Sequence, residues 1–257
     1  MSWTLIPLFA VTALLYAAVG FGGGSTYAAL LVLSGTDYRL LPSLALACNI
    51  VVVTGGVWQF SKVGALDVRR LVPYLVTSVP AAWLGGRLVI SETVFIGLLG
   101  SVLLLSGLRL LTLHTERART VTQAPHLPHW PLGLCAGAGI GFLAGLVGIG
   151  GGIFLAPLLY LTGWGSARQI AAACSLFILV NSLSGLAGQL TKLGDLALLR
   201  SALTYWPLLL AVCVAGQCGS WLGSRRLEAI WMRYLTALLV LYVAIRLLWR
   251  LSAHLMG

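Results

Sequence analysis

Apolar stretches dominate the chain, and they follow one rhythm twice over. Charge-free or charge-poor runs fall at about 3–34, 41–60, 71–90 and 94–111, and again at about 131–163, 169–190, 202–222 and 231–249. A bilayer-spanning helix takes about 20 apolar residues. Eight such runs with short loops consume almost the whole length and predict an all-α polytopic membrane protein. Residues 112–130, TLHTERARTVTQAPHLPHW, carry charges, three histidines and two prolines and read as a polar, helix-breaking linker. They divide the chain into a first transmembrane repeat at 1–111 and a second at 131–257.

The repeat holds at the level of single residues. Val19-Gly20-Phe21-Gly22-Gly23-Gly24 matches Val147-Gly148-Ile149-Gly150-Gly151-Gly152, and Gly35 matches Gly163 at the same offset. Ala47-Cys48-Asn49 answers Ala173-Cys174-Ser175, Gln59 with Lys62 and Gly64 answers Gln189 with Lys192 and Gly194, and Trp83-Leu84-Gly85 answers Trp221-Leu222-Gly223. Four blocks in one order, separated by small gaps, point to a duplicated unit of about four hydrophobic segments.

Each half opens with an apolar segment of about thirty residues, too long for one comfortable crossing and too short for two. Three consecutive glycines sit near its middle, and each weakens a helix interior by roughly 1 kcal/mol relative to alanine. These first helices are therefore expected to break. Unwound backbone at membrane depth is tolerated where it is surrounded by protein or lines a cavity, and many secondary transporters build substrate sites from such breaks. Single glycines more often serve close helix packing. A triple glycine in register in both halves favours a cavity-lining break, which makes Gly22, Gly23, Gly24 and Ser25, with Gly150, Gly151 and Gly152, candidate substrate-binding residues. GFGGGST superficially resembles a phosphate loop, but it lacks the lysine and its flanks are apolar helix.

The following segments add polar groups. Cys174, Asn181, Gly185 and Gly188 fall along one side of a helix, as do Cys48, Gly55 and Gln59, with Asn49 beside them. Interhelical hydrogen bonding accounts for such amides; so does a polar pathway, and on that account Asn49, Gln59, Ser175, Asn181 and Gln189 join the candidate set, with Ser182 facing the same way.

Composition narrows the function. Only 9% of residues are charged and mean hydropathy is +0.98, so no soluble domain of any size is left over. The net charge of +10 comes from basic residues scattered singly or in pairs between apolar runs, the look of loops facing anionic lipid and not of a nucleic-acid interface. All six acids, Asp37, Asp67, Glu92, Glu116, Asp195 and Glu228, lie in or beside expected loops, which disfavours a cation pump. Glycine N–H groups, hydroxyls and amides suit a small anionic substrate. The five cysteines, at 48, 135, 174, 213 and 218, have no close pairing, and the histidines lie in the linker or the tail. Nothing therefore suggests a catalytic residue, a metal site or a cofactor.

At the glycine motifs the sequence resembles the TauE/SafE, or sulfite exporter, family of membrane transporters. GFLAGLVGIGGGIFLAPLL is close to the family's pattern and AVGFGGGSTYAALLVLSG is a weaker first copy; Ala173-Cys174-Ser175-Leu176 and Leu84-Gly85-Gly86-Arg87-Leu88 resemble further family elements. The resemblance covers essentially the whole chain. It implies a multi-pass permease of the bacterial cytoplasmic membrane that moves sulfite, sulfur-containing organic acids or related anions, commonly outward. Ala29 stands where the second half has Pro157, and Asn49 where it has Ser175, departures from a strictly two-fold site.

If each broken segment crosses once, the halves are parallel; if it re-enters on its own side, they are inverted. Loop charges divide ten against six either way and place the 112–130 linker in the cytoplasm. Inverted repeats are slightly favoured because alternating access is readily built from them. The expected activity is secondary transport of a small anion, with an anion channel or a membrane scaffold as alternatives. The apolar, lipid-facing surface leaves room for a homodimer.

Overall fold

The computed structural model describes residues 3–112, 130–191 and 203–225, together with Tyr234, Leu238, Leu241, Tyr242, Ala244, Ile245, Leu248, Trp249 and Ser252. The expected linker at 112–130 and last run at 231–249 lie largely outside these residues. The described elements are all helical: α1 (Leu5–Ala18), α2 (Gly24–Leu33), α3 (Leu41–Lys62), α4 (Val68–Arg87), α5 (Glu92–Thr112), α6 (Trp130–Val147), α7 (Gly152–Leu161), α8 (Ala167–Leu190) and α9 (Trp206–Arg225).

Among them α3, α6, α8 and α9 are long and apolar enough to cross a membrane. The 22 residues of α3 rise about 33 Å, against roughly 30 Å of hydrocarbon. By contrast the 14 residues of α1 and the 10 of α2 rise only about 21 and 15 Å. Helix starts are fixed locally where polar residues permit. Asp67 accepts from the Arg70 backbone N–H at 3.2 Å, and Ser166 with Gln169 forms a capping box at the start of α8. Each such cap is worth about 1 kcal/mol.

Lipid tails are as apolar as leucine, so helices associate here chiefly by close approach of small residues. Gly133, Gly137, Gly141 and Gly145 recur every fourth residue on α6 and meet, in order, Pro73, the Tyr74–Thr77 turn, Ser78 and Ala82 of α4. Matching ascending order makes α4 and α6 parallel, and Thr77 Oγ1 donates to the Leu134 carbonyl along the same seam at 2.7 Å. Gly219 and Gly223 of α9 meet Leu14 and Ala18, so α1 and α9 are parallel too. At the centre the order reverses. Gly56 of α3 lies against Ser175 of α8, whereas Gly185 lies against Leu46, which makes α3 and α8 antiparallel.

The two short helices return to the end of the bundle from which their arms set out. Past α2, Thr36 Oγ1 lies 3.2 Å from the Tyr205 hydroxyl, just before α9, and so at the end where α1 begins. Past α7, the Trp164 carbonyl accepts from Arg70 at 3.2 Å, in the first turn of α4, at the end where α6 begins. Exchanging α1 with α6, α2 with α7, α3 with α8 and α4 with α9 carries the α1·α9 packing onto α6·α4, α3·α9 onto α8·α4 and α2·α3 onto α7·α8, and leaves α3·α8 in place.

Candidate functional site

Both expected helix breaks are present. α1 stops at Ala18 and α2 starts at Gly24; α6 stops at Val147 and α7 starts at Gly152. The residue before each short helix is left-handed, Gly23 at φ 88° and Gly151 at φ 82°. This conformation costs an ordinary L-residue about 1–2 kcal/mol, so glycine is the residue that lets the chain turn back here.

The loops that join the arms meet each other through side chains of α3 and α8. Asn49 Nδ2 donates to the Ile149 carbonyl of the second loop at 3.2 Å. Its amide also packs on the first loop: a Cβ added to Gly22 would strike Oδ1, and one added to Gly24 would strike Nδ2. From the opposite half, Ser175 Oγ donates to the Gly20 carbonyl at 2.9 Å. Each half thus holds the other half's loop, and the two donors, Asn49 and Ser175, stand at positions that the internal repeat aligns.

Around this contact lies a dense set of buried polar atoms. Ser25, Asn49, Ser175, Asn181 and Ser182 are fully buried, and Gln189 nearly so. Asn49 Oδ1, Asn181 Oδ1 and Ser182 Oγ have no hydrogen-bond partner. Such orphans are uncommon inside proteins and call for a physical account. Gly150 approaches both Asn49 Nδ2 and Ser182 Oγ; an added Cβ would stand 2.9 and 3.0 Å from them. Beside the first loop, Tyr16 and Thr26 share a hydrogen bond at 2.8 Å.

Of the residues expected from sequence, Gly22, Gly24, Asn49, Gly150 and Ser175 come together at the loop contact, with Gly23 and Ser25 on the same loop and first turn. Gly151 faces Ile140, Phe177 and Ala144, an apolar lining. The Gly152 carbonyl lies 3.7 Å from Cys174 Sγ. Asn181 Nδ2 bonds to the Phe177 carbonyl of its own helix at 2.8 Å, and Gln189 Nε2 braces the Gly145 carbonyl of α6 at 2.9 Å. Gln59 is half-buried, about 15 Å further along α3 than Asn49. Sequence reasoning missed Tyr16, Thr26 and Tyr27, because a hydroxyl in an apolar run carries no periodic signal. It also missed that the backbone carbonyls of Gly20 and Ile149 are the acceptors.

A recess of about 70 Å³, lined by Leu44, Cys48, Leu203, Tyr205, Trp206, Leu208 and Leu209, leads from the end where α9 begins to Cys48, next to Asn49. Among the described residues no cluster of His, Cys, Asp and Glu could hold a metal ion.

Paired broken helices whose loops meet through buried polar side chains, among helices apolar enough to span a membrane, are the arrangement that many secondary transporters use. Residues 5–247 match the sulfite exporter TauE/SafE family model, and the chain belongs to that family. It is 36% identical over 241 residues, 94% of this chain and 96% of the relative, to "Probable membrane transporter protein y4hK" of Sinorhizobium fredii (strain NBRC 101917 / NGR234). No solved structure matches the chain at a significant level.

Proposed function

We propose that the chain is a secondary transporter of the bacterial cytoplasmic membrane that exports small anions such as sulfite or sulfur-containing organic acids. Transport proceeds by alternating access around the contact between the two glycine-broken loops. The observation that carries this reading is the reciprocal pair of hydrogen bonds, Asn49 to Ile149 and Ser175 to Gly20, which closes one loop on the other in the middle of the bundle. The N-termini of α2 and α7 begin at these loops and offer backbone N–H groups and positive dipole ends to an anion.

The halves are read as inverted repeats. The helix packing is preserved when the halves are exchanged, and α3 runs antiparallel to its counterpart α8, so the relating axis lies across the helices and not along them. Each broken segment then re-enters on its own side, one from each face of the membrane. Among the described helix ends, Lys62, Arg69, Arg70, Arg168 and Arg225 fall at one end of the bundle and Arg39 and Arg87 at the other. The first end is assigned to the cytoplasm. It also carries the start of α6 and hence the linker, while the first loop enters from outside.

The test is sulfite flux in proteoliposomes made with the full-length chain. A transporter gives saturable flux that is stimulated by sulfite on the opposite side. A channel gives unitary currents and no such stimulation, and that result would overturn alternating access.

A further inference from the structure

We infer that the site selects a singly charged anion that still carries a hydrogen-bond donor of its own, and that Asn49 Oδ1 is the acceptor that reads this donor. The inference rests on the anion-transport reading above and names the charge state that reading leaves open.

Two observations lead to it. The first concerns charge. The buried polar residues among those described are Thr12, Ser25, Thr26, Ser43, Asn49, Ser78, Ser175, Asn181, Ser182, Gln189, Ser220 and Ser224, without a single cation. Countercharge at the loop contact therefore comes from the starts of α2 and α7, each of 10 residues. A helix N-terminus supplies roughly half an elementary charge, and two of them together match one negative charge. The second charge of a dianion would be desolvated with nothing opposite it, and an uncompensated buried charge is strongly disfavoured.

The second observation concerns hydrogen-bond polarity. Ser182 Oγ is fully buried, lacks a partner and can donate to an anion oxygen. Asn49 Oδ1 is different. It is fully buried, packed against Gly22 of the first loop, and only able to accept. The amide orientation is set by the bond that Nδ2 makes to the Ile149 carbonyl, an acceptor that requires the N–H₂ side. A bare oxyanion would repel Oδ1, whereas an anion bearing an O–H would satisfy it. For sulfite, an acid whose second ionisation falls near neutral pH, the selected form is hydrogensulfite.

The experiment compares three probes on the full-length chain in proteoliposomes, with pH equal on both sides: sulfite across a pH series, methanesulfonate as a monoanion without a donor, and sulfate as a dianion. Sulfite flux is expected to fall with rising pH in step with the hydrogensulfite fraction, while the competing strength of methanesulfonate stays constant. Methanesulfonate should compete about tenfold more weakly than hydrogensulfite, the value of one hydrogen bond, and excess sulfate should not compete. Asn49→Ser, which supplies a hydroxyl as Ser175 does, should bring hydrogensulfite and methanesulfonate together; if that variant does not fold, the three-probe comparison on the unmodified chain decides alone. Competition by sulfate equal to that of hydrogensulfite overturns the charge argument. Equal competition by methanesulfonate overturns the role of Asn49 Oδ1, and a methanesulfonate affinity that drifts with pH assigns the pH effect to the protein. Each of these leaves anion transport standing. Absence of saturable flux for every anion removes the transport reading itself, and this inference with it.

Discussion

Asn49 and Ser175 reach across the molecule in opposite senses, each donating to a backbone carbonyl in the other half's loop, at 3.2 and 2.9 Å. Both carbonyls belong to unwound chain and have no helical partner, so each side chain satisfies an acceptor that the fold otherwise leaves open. Removing the donors should therefore destabilise the closed contact. Asn49→Ala is expected to cost about 1–3 kcal/mol, through the carbonyl left unpaired and the lost amide packing, and Ser175→Ala about 1 kcal/mol. Both bonds hold the same pair of loops, so the double variant should deviate from additivity by at least about 0.5 kcal/mol. Thermal unfolding in detergent measures all three, and strict additivity would show that the loops are held independently.

How much of this was legible in the sequence depends on which interactions carry a pattern. The glycine blocks at 20–24 and 148–152 announced the breaks because left-handed backbone selects glycine, and the structure has φ 88° at Gly23 and φ 82° at Gly151. Asn49 and Ser175 were legible as aligned polar residues in apolar runs. Their partners were not, since a backbone carbonyl has no side-chain signature. Gln59 and Gln189 look alike in sequence, yet one is half-buried along α3 and the other is braced on Gly145. Nor did the hydropathy pattern contain the direction of the short helices. That came from contacts between distant segments, Thr36 with Tyr205 and Arg70 with Trp164.

The α4–α6 seam offers a clean contrast between two glycines of one helix. A Cβ on Gly145 would fall on the Ala82 carbonyl, whereas Gly139 faces open space. Gly145→Ala forces the helices apart and should cost about 1–3 kcal/mol. Gly139→Ala removes backbone freedom without a clash and should be neutral or stabilise by up to about 1 kcal/mol. Equal shifts in melting temperature for the two variants would contradict the close packing of this seam.

Repeat orientation is open to labelling from the two faces of the membrane. Ser34 and Thr162 are exposed at the ends of the two broken segments, and Val63 is exposed where α3 ends. In a background without natural cysteines, Ser34→Cys should react with an impermeant thiol reagent from outside, and Thr162→Cys and Val63→Cys only from the cytoplasmic side. Labelling of Ser34→Cys and Thr162→Cys from one and the same face would establish parallel repeats and end the inverted reading.

Alternating access makes a sharper demand on two natural cysteines. Cys48 and Cys174 occupy aligned positions next to Asn49 and Ser175, and both are buried in the closed arrangement, so neither should react quickly at rest. The recess beside Cys48 opens at the end where α9 begins, the end assigned to the outside. Cys174 instead lies against the Gly152 carbonyl at the start of α7, on the arm that enters from the cytoplasm in the inverted reading. Opening outward should therefore expose Cys48 to external reagent, and opening inward should expose Cys174 to internal reagent. With Cys135, Cys213 and Cys218 replaced by serine, substrate added on one side should raise the labelling rate of one thiol and lower that of the other, because a single two-state equilibrium governs both. Rates that rise together would mean that both gates open at once, the behaviour of a channel.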